Sequence, residues 1–140
     1  MLPFDVTLTP GESPYRQVVY AATKAVVSGD LLPGSPFPSV RVLSQALKIN
    51  PNTAQKVVAE LSRNGILEVH PGVGTVVAEW GPATPRERQA LVAHEIEPLL
   101  VEARRLGLTL SEVQAAVRRE WEDLFGTDEL AARADGRAEA

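Results

Sequence analysis

The chain contains no cysteine. Disulfide staples, thiol nucleophiles and Cys-ligated zinc are therefore excluded, and a reducing compartment is allowed. Histidine is nearly absent. His94 has no His, Asp or Glu partner at metal-ligand spacing, and His70 reads as a strand residue, so neither a metal nor any other cofactor is expected. No nucleophile–base pair or carboxylate pair stands at a workable spacing, which argues against an enzyme. Long apolar runs are missing too, and nothing approaches the roughly 20 residues that cross a bilayer. The opening MLPFDVTLT has neither a basic n-region nor an apolar h-region. The expectation is a soluble, cytoplasmic chain without a membrane partner. Negative charge is absent from one stretch: the net charge is −4, yet no acid lies between Asp30 and Glu60, where Arg41, Lys48 and Lys56 stand. The segment Ser13–Ala78 is net basic, and the acidic excess lies on either side of it.

At 140 residues the chain can bury one core and carry a small appendage. Phe4, Val6 and Leu8 alternate with polar residues, as in a short extended arm over residues 1–12. Ser13-Pro14 opens a helix whose apolar positions Val18, Val19, Ala22, Ala25 and Val26 keep a helical period, and Ser28-Gly29-Asp30 ends it. Ser39 caps a second helix from about Val40 to Leu47, with Val40, Leu43, Ala46 and Leu47 on its buried face. Lys48-Ile49 turns the chain. Asn50, a capping residue, with Pro51 starts a third helix, which buries Ala54, Val57, Val58 and Leu61 and exposes Asn52, Lys56, Ala59 and Arg63. Asn64-Gly65 stops it. Ile66–His70 and Thr75–Ala78 then form a hairpin around Pro71–Gly74. Two capped helix starts about eleven residues apart, followed by a hairpin, predict a winged helix-turn-helix.

Beyond a linker at 80–85, a helical region from about Arg86 to Arg105 repeats apolar residues at Val92, Ile96, Leu99, Ala103 and Leu106, with a kink or break expected at Pro98. Ser111 with Gln114 predicts a capping box for a last helix with the apolar stripe Val113, Val117, Trp121 and Leu124. The fold class is mainly α with a small β-hairpin. Its winged helix-turn-helix spans residues 1–79, a short two-helix C-terminal dimerisation tail spans 86–125, and 126–140 is read as a frayed or disordered terminus.

The third helix suits the DNA major groove, whose base edges a first helical turn can reach. Asn52 and Gln55 are able to pair bidentately with adenine, Thr53 to touch a thymine methyl, and Lys56 to reach phosphate or guanine. Arg41 and the backbone N–H groups near Ser39 suit a phosphate, and Gly72 and Gly74 make a wing tip thin enough for the adjacent minor groove. Double-stranded DNA is the expected partner. The competing reading is a winged-helix protein-interaction module docking a partner through its acidic helical tail. Exposed aromatics would then be expected in place of the polar stripe Asn52, Gln55, Lys56 and Arg63.

The chain resembles the GntR family of bacterial transcription regulators. The resemblance is carried by Tyr15-Arg16-Gln17-Val18, Gly29–Gly34, Pro38-Ser39-Val40-Arg41, Asn50-Pro51-Asn52-Thr53, Leu61–Ile66 and Gly72-Val73-Gly74-Thr75, in order and in spacing. Residues Leu100–Leu124 look like the two-helix tail of the short YtrA-type subfamily. The resemblance implies a winged helix that binds an operator as a homodimer, with the tail forming or supporting the dimer, and the leading reading is a repressor on the palindromic site that a symmetric dimer requires. It further implies a frequent link to genes for ABC transporters. It places DNA contacts at Arg41, Asn52, Thr53, Gln55 and Gly72. The chain departs from the family pattern at Phe37, where leucine is usual, at Pro51 and Gln55, where many relatives carry arginine, and at Pro71 and Val76 in the wing. The tail is too short to enclose a typical ligand pocket by itself. An unidentified small-molecule effector, if one binds, is expected at the dimer interface or between the tail and the winged helix.

Overall fold

Three local caps set out the helices of the N-terminal half in a computed structural model that describes residues 2–126. Ser13 Oγ accepts from the Arg16 N–H, Ser39 Oγ from the Val42 N–H, and Asn50 Oδ1 from the Asn52 N–H at 2.8 Å. They open α1 (Pro14–Val27), α2 (Val40–Leu47) and α3 (Pro51–Arg63). An eight-residue helix such as α2 is unstable alone. It is held by Leu43, fully buried together with Val18, Ala54, Val57 and Leu61. Each fully buried leucine or valine contributes about 1.5–3 kcal/mol, more than an isolated helix of this length supplies. Ala46, expected on the buried face, is exposed. It shares Leu43's stripe by period, but so short a helix crossing α3 covers only a narrow band around Leu43, with Val40 and Leu47 half-covered.

The N-terminal arm packs where its alternation placed it. Phe4 is buried and stacks on Phe37 with ring centroids 5.7 Å apart, and Val6 and Leu8 are partly buried on the same core. Gln17 pins the arm from α1: its Oε1 accepts from the Thr9 N–H at 2.6 Å, and its Nε2 donates to the Thr9 and Glu12 carbonyls.

Helix α3 closes through a left-handed Gly65. The Gly65 N–H donates to the Ser62 carbonyl and the Ile66 N–H to the Leu61 carbonyl. Ile66 is thus taken up by the helix stop, and β1 begins one residue later, at Leu67–His70. It pairs antiparallel with β2 (Gly74–Val77) in the register Leu67↔Val77 to His70↔Gly74, leaving a loop of Pro71, Gly72 and Val73. The other edge of β2 takes the stretch before α2. The Gly34 N–H donates to the Val77 carbonyl, the Val77 N–H to the Ser35 carbonyl, and the Phe37 N–H to the Thr75 carbonyl, all at 2.8–2.9 Å. The wing is therefore tied directly to the residues that lead into α2.

The chain divides into two compact units, with the division between Gly81 and Pro82. In the second, Thr84 and Glu87 form a reciprocal capping box that starts α4 (Pro85–Leu91), one residue ahead of the predicted start. The kink or break expected at Pro98 takes the form of a π-helical turn, Val92–Ile96, leading into α5 (Glu97–Arg105). Proline lacks an N–H and its ring crowds the carbonyl four residues back. The wider turn relieves both, with the Glu97 N–H bonding the Val92 carbonyl. The last helix, α6 (Leu110–Phe125), is capped by Thr109 with Glu112, not by Ser111 with Gln114. Both pairs satisfy the spacing, but glutamate adds a negative charge favoured at a helix N-terminus. Gly126 follows α6, and the remainder of the terminus expected to be frayed lies outside the described residues.

Candidate nucleic-acid interface

Three elements of the first unit carry the residues that the sequence assigned to DNA. Arg41 and Ser39 sit at the start of α2, both exposed. The Ser39 hydroxyl oxygen is already engaged as the helix cap, so its contribution to a ligand is the orientation of the first α2 N–H groups. On α3, Asn52, Gln55 and Lys56 are exposed and Thr53 is half-buried, all within the first two turns. The Asn50 Oδ1 is spent on capping, whereas no side-chain hydrogen bond engages the exposed amide of Asn52 among the described residues. Among the described residues Arg41, Lys48 and Lys56 form no ion pair. Their charges are not cancelled locally, in a stretch that contains no acid from Leu31 to Ala59.

The wing contributes shape. Gly72 and Gly74 have φ of 79° and 109°, a region L side chains rarely adopt, and both are exposed. A side chain at either would strain the loop, so the tip stays narrow. Val73 between them is 74% exposed, leaving an apolar tip. At the tip end of β1, His70 Nε2 lies 3.0 Å from Glu68 Oε2 on the strand face. No group of three or more His, Cys, Asp or Glu able to hold a metal occurs among the described residues.

The structure brings together some residues that sequence spacing left apart. Thr53, Lys56, Ala59 and Arg63 on α3 share one concavity of about 480 Å³ with Tyr15 on α1. Arg63 is held by Glu60 at 2.8 Å. The Tyr15 phenol is pushed above its usual pKa of 10.0, first by partial burial and then by the neighbouring Glu60 carboxylate. It is therefore a protonated donor at neutral pH. The Glu60–Arg63 spacing of three is a readable helical pair. Tyr15 had no such local signal, because its neighbour lies 45 positions away and is reached only through packing of α1 on α3.

The second unit offers a different surface. Among its described residues Ala103 is the one buried apolar side chain, whereas Leu91, Leu99, Val101, Leu106 and Leu110 are all more than half exposed. Trp121 is 46% exposed and meets Phe125 edge-on. No described helix is long and apolar enough to cross a membrane.

Comparison with known proteins agrees with the winged-helix fold. Residues 14–77 match the profile of the bacterial regulatory proteins of the gntR family. An HTH-type transcriptional regulator of Bacillus subtilis (strain 168), YhcF, is 33% identical over a stretch covering 74% of this chain and 86% of its own. The HTH-type transcriptional repressor YtrA of the same organism is 29% identical, covering 80% of this chain and 87% of its own. A solved structure of a transcriptional antiterminator from Listeria monocytogenes EGD-e superposes with a TM-score of 0.76 at 24% identity, over 89% of this chain and 94% of that one. That last likeness concerns the fold.

Proposed function

The chain belongs to the GntR family of bacterial regulatory proteins and is a DNA-binding transcription regulator, and from that premise we propose that it is a cytoplasmic repressor that binds a palindromic operator as a homodimer joined through residues 86–125. The observation that carries the reading is the second unit's exposed apolar surface, which buries only Ala103 among its described residues. Helices with so little core of their own need a partner. A second copy of the chain supplies one, and two-fold symmetry then sets two α3 helices against successive major grooves, about 34 Å or a multiple of it apart. The similarity to a protein named as a repressor supports the sign of regulation.

In this complex Asn52 and Gln55 read base edges, Thr53 lies against a base methyl, and Lys56 and Arg41 take phosphate or guanine. The amides at Ser39 orient on phosphate, and Gly72 and Gly74 let the wing enter the minor groove. The test is selection from random-sequence duplexes at two salt concentrations. An enriched palindrome supports the reading. Salt-sensitive binding without an enriched site reduces it to phosphate affinity. Absence of binding would favour a protein partner docked on the tail.

A further inference from the structure

The concavity between α1 and α3 has a composition that the base-reading residues do not explain. Tyr15, Thr53, Lys56 and Arg63 line it around the small side chain of Ala59. Each of the four has a polar hydrogen to donate, and two are cations. No carboxylate is among the lining residues. The nearest, Glu60, is half-buried and occupied, held by Arg63 at 2.8 Å. Glu60 thus fixes a guanidinium that would otherwise swing freely, its side chain being 68% exposed. A donor-rich, cationic hollow suits a ligand that is all acceptor and negatively charged, which is the chemistry of a phosphodiester. Thr53 and Lys56 belong at once to the hollow and to the first turns of α3. A helix seated in a major groove has a sugar–phosphate strand running along each side of it.

We propose that Tyr15, Lys56 and Arg63 form a phosphate cradle for the DNA strand bordering the α3 groove, with Glu60 as the positioning residue that presets Arg63. The proposal rests on the DNA-binding reading and assigns it a further subsite on α1. It also accounts for an acid kept on a DNA-binding helix. Simple charge repulsion predicts that removing Glu60 tightens binding, whereas a positioning role predicts that it weakens binding.

The experiment uses the full chain and a duplex enriched by it from a random pool. Binding is measured across a salt series, and ethylation interference maps the phosphates that matter. Tyr15→Phe, which removes one hydroxyl, is expected to weaken binding about tenfold. Arg63→Gln is expected to do the same and to make the slope of log affinity against log salt shallower by about one. The phosphate whose ethylation blocks the wild-type chain should lose its effect in Arg63→Gln. Glu60→Gln should weaken binding although it adds positive charge to the face. Arg63 is exposed, so its replacement leaves the core intact even if a change at Tyr15 lowers the thermal midpoint. Unchanged affinity, slope and interference pattern in Arg63→Gln would overturn the cradle, and tighter binding by Glu60→Gln would overturn the positioning role. If inorganic phosphate at constant ionic strength competes with DNA in an Arg63-dependent way, the hollow is a free-anion site and the DNA-strand assignment falls. A wild-type chain that enriches no duplex would overturn the DNA-binding reading itself, and the cradle with it.

Discussion

Arg41 and Lys48 are the two residues whose replacement separates binding from folding most cleanly. Arg41 is exposed, forms no ion pair among the described residues, and stands at the start of α2. Arg41→Ala should leave the thermal midpoint in place and weaken operator binding by about 1–3 kcal/mol if it reaches a base edge. Unchanged affinity in a folded variant would remove it from the interface. Lys48 is the one non-glycine residue with a positive φ among those described, at 53°. A left-handed non-glycine residue costs on the order of 1 kcal/mol, and glycine relieves it. Lys48→Gly should therefore raise the urea midpoint, and a lower midpoint would show that the lysine side chain stabilises the turn by more than its backbone costs. At this scale the sequence was most readable where the interaction is local. Ser13, Ser39 and Asn50 cap within three residues of themselves, so residue type and spacing were enough to place them. Tyr15 was not readable as a donor into the α3 hollow, because nothing near it in sequence names Glu60 as its neighbour.

The elements show where local rules compete. Two capping patterns overlap ahead of α6, Thr109-x-x-Glu112 and Ser111-x-x-Gln114, and spacing alone does not choose between them. The structure uses the first. Thr109→Ala should therefore cost about 1 kcal/mol in stability and Ser111→Ala almost nothing, read from denaturant unfolding of each variant. Equal effects would mean that the helix start is shared between the two registers. Proline posed a similar ambiguity at Pro98, since a break, a kink and a π turn all satisfy its missing donor. Pro98→Ala should let the run from Pro85 to Arg105 close into regular α-helix, raising stability by less than the roughly 3 kcal/mol that an unrelieved helix-interior proline costs. Circular dichroism and the unfolding midpoint together check it. The pairing of Gly34–Phe37 with β2 was hidden from the sequence for the opposite reason. Pro36 and Pro38 announced an extended path, but the partner strand lies some forty residues on. That strap makes the stretch leading into α2 and the wing one hydrogen-bonded frame.

For the whole molecule, the contrast between its two units governs what it is able to do. The first has a core of its own, from Phe4 and Val18 to Leu61 and Val77, and the side chains proposed to meet DNA from α2 and α3 are polar and mostly exposed. The second exposes Leu99, Val101, Leu106 and Leu110; Leu99 and Leu106 were legible as helical periodicity, Val101 and Leu110 fell outside the periods read, and no single sequence names the partner that covers them. If a second copy of the chain covers them, operator affinity depends on the tail without the tail touching DNA. Binding the first half-site raises the effective concentration of the second α3, a gain of about 10²- to 10⁴-fold over one unit alone. Removing residues 86–140 should then leave a folded monomer that binds an isolated half-site weakly and no longer distinguishes the paired site from the single one. Leu99→Glu with Val117→Glu in the full chain tests the same dependence without truncation. Both positions are about half exposed in the single chain, so the charges cost little there and become unfavourable only when a partner buries them. Sedimentation should show a monomer, and the affinity for the palindrome should fall toward that for the half-site. A double variant that still sediments as a dimer would place the interface elsewhere, and a monomer that keeps full affinity for the palindrome would show that symmetry is not how this chain recognises its operator.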